Sequence, residues 1–331
     1  GLLLGTAATM IAACQAHAPG AVSSGAGDSV ADVAPVAPAG ADLSALSAYC
    51  GVYHLADDHF LGVQSFLNDA GEALLLYADY TTSVVRPLRP STSGAFAMGP
   101  SFDAASPVEL SVQFEDSAEG VAALVQRHAD GSAARARKLA TRDEEIAFAQ
   151  RDATLKGALI LPPGPGPHPA IVLLHGSGPL TRYSFGPYPR FFSSLGLAVL
   201  IYDKRGTGAS TGRRLDSSTG APDVLWPDYF PDDILADAQA ALRYLQGRPE
   251  IDATRIGFWG SSEGGMLATQ VAAHNADVAF AINSSGFMGP LWRTILYQGA
   301  AMMRAAGKPA AEIDDAIAFN RFWMDVARTG E

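Results

Sequence analysis

The sequence predicts an α/β fold: a mostly parallel sheet, incomplete within these residues, with helices on both faces, preceded by a small antiparallel β-rich domain. Three observations predict it. From about residue 144 strand-like and helix-like segments alternate, the pattern of a sheet covered by helices. Two of those strands, Pro169–Leu174 and Ala198–Tyr202, are continuous apolar runs, as in strands buried on both faces. Between about 48 and 140, short segments of alternating character are separated by turn residues, which is the signature of antiparallel pairing.

The chain has 331 residues, 48% of them hydrophobic and 17% charged, which fits a globular protein long enough for two domains. A net charge of −11 argues against nucleic acid as a partner, because phosphate binding needs clustered Lys and Arg. No apolar run reaches the ~18–20 residues that a membrane-crossing helix requires.

Taken in order, residues 1–14 form a short apolar leader, Leu2 to Ala13, ending in Ile11-Ala12-Ala13-Cys14. A small residue before that cysteine resembles a bacterial lipobox, with Cys14 as the lipidated residue, which implies a protein of the bacterial cell envelope, lipid-anchored or periplasmic. Gln15, not Asp, follows the cysteine, and this resembles sorting to the outer membrane. Residues 15–44 are Ala, Gly, Ser, Pro and Asp with almost no large apolar side chains, so they are expected to form a flexible linker. With Cys14 lipidated, Cys50 has no partner in the chain and reads as a buried thiol.

Residues 45–140 are the β-rich N-terminal domain, expected to be a small antiparallel sheet or partly open barrel. Its strands include Phe60–Phe66, Ala73–Tyr77, Ser83–Arg86, Val108–Phe114 and Val121–Val125, and its turns include Asn68–Gly71 and Ala129–Gly131. His54 and His59 lie near Asp57 and Asp58, but that loose spacing in a loop-like segment does not make a metal site. Residues 141–331 hold the α/β domain. Its strand candidates are 153–161, 169–174, 197–202, 254–259 and 278–283, and its helix candidates are 187–195, 231–247 and 263–274. Cap-like helices follow from about 290, at 290–306 and 309–328, with Trp292, Ile295, Leu296, Met302, Met303, Ile313, Ile317, Phe319 and Trp323 as apolar faces.

Three motifs carry chemistry. Gly260-Ser261-Ser262-Glu263-Gly264 follows the apolar run Ile256–Trp259 and leads into a helical pattern, which is the G-x-S-x-G strand–turn–helix arrangement. It presents Ser262 as a nucleophile, with Ser261 out of register and small Gly260 and Gly264 permitting close passage. His175-Gly176-Ser177-Gly178-Pro179 follows the strand 169–174. Its backbone N–H at Ser177, or alternatively Gly178, would form an oxyanion hole with the N–H of Glu263. Gly176, Gly178 and His175 support that loop; His175 braces it rather than acting as the base. The third motif is Asp203-Lys204-Arg205-Gly206-Thr207-Gly208 after the strand 197–202.

In this order and spacing, over about 145–290, the chain resembles the bacterial α/β-hydrolases, including prolyl-oligopeptidase-like and serine-aminopeptidase-like enzymes and related esterases. The resemblance implies that Asp203 and Arg205 are structural and that the triad runs Ser, then Asp or Glu, then His. No His follows His274, which sits on the helix after the elbow, and Asp314, Asp315 and Asp325 in the cap helices are poor triad acids. The missing base, the absent initiator Met and the lack of closing strands favour a fragment, apparently truncated at its C-terminus with the acid and His beyond it, over a protein that has lost its catalytic apparatus; on either reading little activity is expected of the chain by itself.

The reading that results is a serine hydrolase acting on an acyl ester or thioester through an acyl-enzyme on Ser262. A serine peptidase of aminopeptidase-like type is the alternative, and a non-catalytic envelope binding lipoprotein a third. The partner is a small acyl substrate or short peptide; the membrane is touched only through the lipid anchor. No cofactor is expected, since there is no ligand cluster and the Gly-rich segment 205–212 lacks phosphate-loop spacing.

Overall fold

The computed structural model describes residues 43–329 apart from 69–70, 92–93, 104–105, 214–231 and 289–290. The leader, Cys14 and the linker lie outside the described residues. After a helical turn at Leu43–Leu46, eight strands follow: β1 (Gly51–Ala56), β2 (His59–Leu67), β3 (Ala73–Asp79), β4 (Val84–Pro90), β5 (Phe96–Met98), β6 (Leu110–Ser117), β7 (Gly120–His128) and β8 (Ala133–Lys138). Each pairs antiparallel with its neighbour in sequence, and β1 pairs with β8 through Tyr53↔Lys138 and His54↔Arg137. The unit is therefore a closed barrel. The open alternatives expected from the sequence are corrected by that last pairing, which leaves no edge among these strands.

Alternation explains the barrel's interior. Leu61 and Val63 on β2, Leu75 and Tyr77 on β3, and Leu110 and Val112 on β6 are two residues apart and point to one filled core. Inside it the Tyr77 hydroxyl donates to Gln126 Oε1 at 2.8 Å, so the buried amide has a partner. Cys50 closes one end, its Sγ accepting the Ser65 N–H at 3.2 Å. His54 and His59 turn to different partners: a ring nitrogen of His54 meets the Asp57 carbonyl oxygen at 2.6 Å, and that of His59 meets Asp79 Oδ1 at 2.9 Å.

The second unit is built from β9 (Arg142–Gln150), β10 (Ala153–Leu161), β11 (His168–Leu174), β12 (Ala198–Tyr202), β13 (Ile251–Ser261) and β14 (Phe280–Ser284). Its helices are α1 (Tyr188–Ser194), α2 (Asp232–Gln246), α3 (Glu263–His274), α4 (Leu291–Ala305) and α5 (Ala310–Thr329). The sheet order is β14-β13-β11-β12-β10-β9. It is mixed: β14–β13, β13–β11 and β11–β12 are parallel, while β12–β10 and β10–β9 are antiparallel. Strand β9 has no counterpart among the predicted strands, because its opening Asp143-Glu144-Glu145 hides the inward pair Ile146 and Phe148.

Each sheet face is covered by helices. Ile171, Leu173, Val199 and Trp259 pack with Phe192 of α1 on one face, while Val172, Leu174, Leu200 and Phe258 pack with Ala238 and Leu245 of α2 and Leu267 of α3 on the other. This two-sided burial is what the continuous apolar runs require. In α4 and α5 the expected apolar faces are only partly buried. Ile313 is buried, but Phe319 and Trp323 are exposed. The side chains of Trp292 and Ile295 lie outside the described residues.

Candidate active site

Parallel strands β12, β11 and β13 all end at the same edge of the sheet, so the segments that follow Tyr202, Leu174 and Ser261 converge there. That edge, outside the carboxyl ends of parallel strands, is where sheets of this kind form ligand crevices.

The sharpest local feature is Ser262. It lies between β13 and α3 with φ 56° and ψ −119°, a conformation that costs a non-glycine residue energy and persists only where its surroundings enforce it. Two contacts enforce it. The Ser262 N–H donates to Ser284 O at 2.9 Å, and the Ser262 carbonyl accepts from the N–H of Gly265 at 3.0 Å. Serine at a helix N-cap normally turns its hydroxyl back onto the first-turn amides. Here it makes no such bond, so its Oγ is not used to cap α3.

The glycines two residues to either side of Ser262 explain how the turn packs. A Cβ on Gly260 would lie 2.1 Å from the Gly264 backbone, and a Cβ on Gly264 would lie 2.2 Å from Leu174 O and 2.6 Å from His175 O. The first turn of α3 thus rests directly on the end of β11, which brings Glu263 beside the 175–178 loop.

His175 is buried, stacked on Phe185 with centroids 4.1 Å apart, and its Nε2 lies 2.6 Å from the Tyr202 carbonyl oxygen. A carbonyl only accepts, so Nε2 carries the proton and donates. Burial pulls the ring's pKa down to about 4, Lys204 adds to that, and the bond to Tyr202 opposes it. The ring is neutral and ties the end of β11 to the end of β12.

Lys204 is a site residue that the sequence reading did not single out. Its buried Nζ donates to Gly176 O at 3.0 Å, Gly178 O at 3.3 Å and Glu263 Oε1 at 2.7 Å. The signal in the sequence was weak, a lysine in a charged loop; only burial reveals its role. Asp203 and Arg205 face away from it into the scaffold. Asp203 accepts from the Arg182 backbone N–H at 2.8 Å, from the Arg182 side chain and from the Ala209 N–H at 2.9 Å. Arg205 clasps Asp237 with two bonds, of 2.8 and 2.6 Å.

Among the described residues, no histidine ring is hydrogen-bonded to Ser262. His274 is exposed at the end of α3 with Nδ1 2.7 Å from Gln270 O, and Asp314, Asp315 and Asp325 are exposed on α5. No group of three or more metal-ligating side chains occurs among the described residues.

A strand–turn–helix elbow at the carboxyl edge of a helix-covered sheet defines the class: an α/β hydrolase fold. Residues 171–329 match the model of the alpha/beta hydrolase family. It is 32% identical over 135 residues to the esterase EstD of Thermotoga maritima, covering 38% of this chain and 29% of that protein. It is 29% identical over 150 residues to the mitochondrial acyl-coenzyme A thioesterase 2 of Rattus norvegicus, covering 45% of this chain and 28% of that protein. The chain therefore spans under a third of the length of these relatives. A solved structure, a hypothetical protein of Pseudomonas aeruginosa, aligns at 25% identity with a TM-score of 0.38 over 51% of this chain and 56% of that one.

Proposed function

We propose that the chain carries the nucleophile and oxyanion site of a serine hydrolase that cleaves an acyl ester or thioester. One observation carries the reading: Ser262 holds a strained positive φ at a strand–helix junction while its hydroxyl does not cap the helix. Strain of this kind is maintained where a side chain must be presented, not where it must be packed. In this reading Ser262 Oγ attacks the acyl carbonyl. The backbone N–H groups of Ser177 and Glu263 hold the tetrahedral oxyanion, and the N-terminus of α3 adds its positive dipole end. Among the described residues no histidine ring is hydrogen-bonded to Ser262, and in this reading the base and its acid are supplied from outside them.

Similarity to an esterase and an acyl-coenzyme A thioesterase supports the choice of ester or thioester. A peptidase of the same fold is the second reading; a binding protein without catalysis is the third. Placement in the cell envelope by a lipid on Cys14 belongs to the same proposal, and palmitate labelling that disappears in Cys14→Ala would support it. The decisive experiment treats the full-length protein and Ser262→Ala with a fluorophosphonate probe, then compares hydrolysis of p-nitrophenyl butyrate with that of an aminoacyl p-nitroanilide. Labelling lost in Ser262→Ala, with turnover of the ester, is the expected result. Turnover of the anilide alone would replace esterase by peptidase, and absence of labelling would remove the nucleophile.

A further inference from the structure

We propose that Lys204 is a positioning residue whose single ammonium sets both backbone amides of the oxyanion site. The inference rests on the serine-hydrolase reading above.

An ammonium has three hydrogens, and here it has three acceptors: Gly176 O, Gly178 O and Glu263 Oε1. The first is the informative one. The Gly176 carbonyl belongs to the same peptide group as the Ser177 N–H, and that bond is trans. In a planar trans peptide the C=O and N–H point in opposite directions. Drawing the Gly176 oxygen onto Nζ therefore turns the Ser177 N–H away from the lysine. The Gly178 carbonyl shares its peptide group with Pro179, which has no N–H, so that bond fixes only the path of the loop. The Gly178 N–H, by contrast, is part of the Ser177 carbonyl's peptide, which Lys204 does not touch. Ser177 is thus the donor that the geometry orients.

The third bond reaches the other half of the site. Glu263 directly follows Ser262, and its backbone N–H is the second donor. Its carboxylate meets Nζ, and both side chains are buried, Glu263 at 5% exposure and Lys204 at 7%. A buried ion pair is weak as a source of stability, since apolar replacements of such pairs are often neutral or stabilising. Its value here is geometric: the loop after β11 and the first turn of α3 are referred to one charged atom.

The test uses the full-length protein with Lys204→Met, Lys204→Arg and the double variant Lys204→Met/Glu263→Leu. The double variant leaves no orphaned charge and keeps every backbone N–H. Three quantities are read: kcat and KM for p-nitrophenyl butyrate, fluorophosphonate labelling, and affinity for a trifluoromethyl ketone, whose adduct places an oxyanion in the site. In the double variant kcat and ketone affinity should fall together, on the order of 10²-fold as for the loss of one oxyanion donor, with KM nearly unchanged. Lys204→Arg should recover part of both. A double variant with wild-type kcat and ketone affinity, or one that raises KM alone, overturns the proposal whatever its melting temperature. If the wild type is not labelled at Ser262, the serine reading fails first and takes this one with it. A labelled wild type beside an unimpaired double variant removes Lys204 alone.

Discussion

Arg190 on α1 donates its Nε–H to Gln64 Oε1 of the barrel strand β2 at 2.9 Å, across the boundary between the two units. The same guanidinium is bonded through both terminal nitrogens to Asp143 of β9, so one side chain, 2% exposed, touches barrel, helix and sheet. The Tyr80 hydroxyl reinforces the seam by donating to Pro187 O at 3.0 Å. Arg190→Leu should orphan the buried Gln64 amide and lower stability by about 1–3 kcal/mol. Urea unfolding followed separately by barrel and sheet probes should show two transitions drawing apart; one unshifted transition would contradict the role.

Gly264→Ala inverts a familiar rule. In a helix interior this change usually gains up to ~1 kcal/mol, but here the new methyl would meet the carbonyl oxygens of Leu174 and His175. The backbone must yield, and overpacking of this kind costs about 1–3 kcal/mol. Thermal melting should fall, and fluorophosphonate labelling of Ser262 should slow with it. A stabilised, fully reactive variant would show that the elbow is looser than described.

His175 gives a pH signature. Its pKa is depressed to about 4 in the folded state against 6.5 when unfolded. Above pH 6.5 the ring is neutral in both states, so the stability that depends on its neutrality is fully present. As the pH falls from 6.5 through 4, the unfolded chain binds the proton and the folded one does not, and about 3 kcal/mol is lost. His175→Gln, which keeps a donor for Tyr202 O, should flatten that stretch of a stability–pH curve measured by urea midpoint. Parallel curves for the two proteins would assign the acid sensitivity to other groups.

Asp203 and Glu145 both pair with Arg182, yet they should differ sharply. The Asp203 side chain is buried and accepts from four N–H groups, whereas that of Glu145 is 80% exposed. Asp203→Asn leaves Arg182 short of its buried counter-charge and should cost about 3–5 kcal/mol. Glu145→Gln should cost under ~1 kcal/mol, as exposed pairs do. Similar melting temperatures for the two variants would refute the distinction.

How much of this was legible in the sequence depended on how local the cause was. The runs at 169–174 and 198–202 announced β11 and β12 because burial on both faces leaves no polar position. The elbow was legible because strand, tight turn and helix are consecutive. Closure of the barrel was not, since alternation says which face a residue takes but not which distant strand it meets; β8, rich in Ala and Arg, barely reads as a strand at all. Lys204 and Glu263 are separated by the whole of β13 and α2, and nothing in either residue's neighbours reveals that they meet. Phe319 and Trp323 misled in the opposite direction: apolar spacing at helical period suggested burial, and both are exposed.

The pairing of β1 with β8 also bears on the order in which the protein can be made. Every other barrel strand pairs only with the strand immediately before or after it, so the ladder can grow as the chain leaves the ribosome and is complete once Lys138 has emerged. The sheet has no such freedom: β11 lies between β12 and β13, so its middle cannot be assembled until synthesis has passed Ser261. Arg190 appears in that interval. Its bond to Gln64, and that of Tyr80 to Pro187 O, therefore join barrel residues to a part of the chain made only after the last barrel strand.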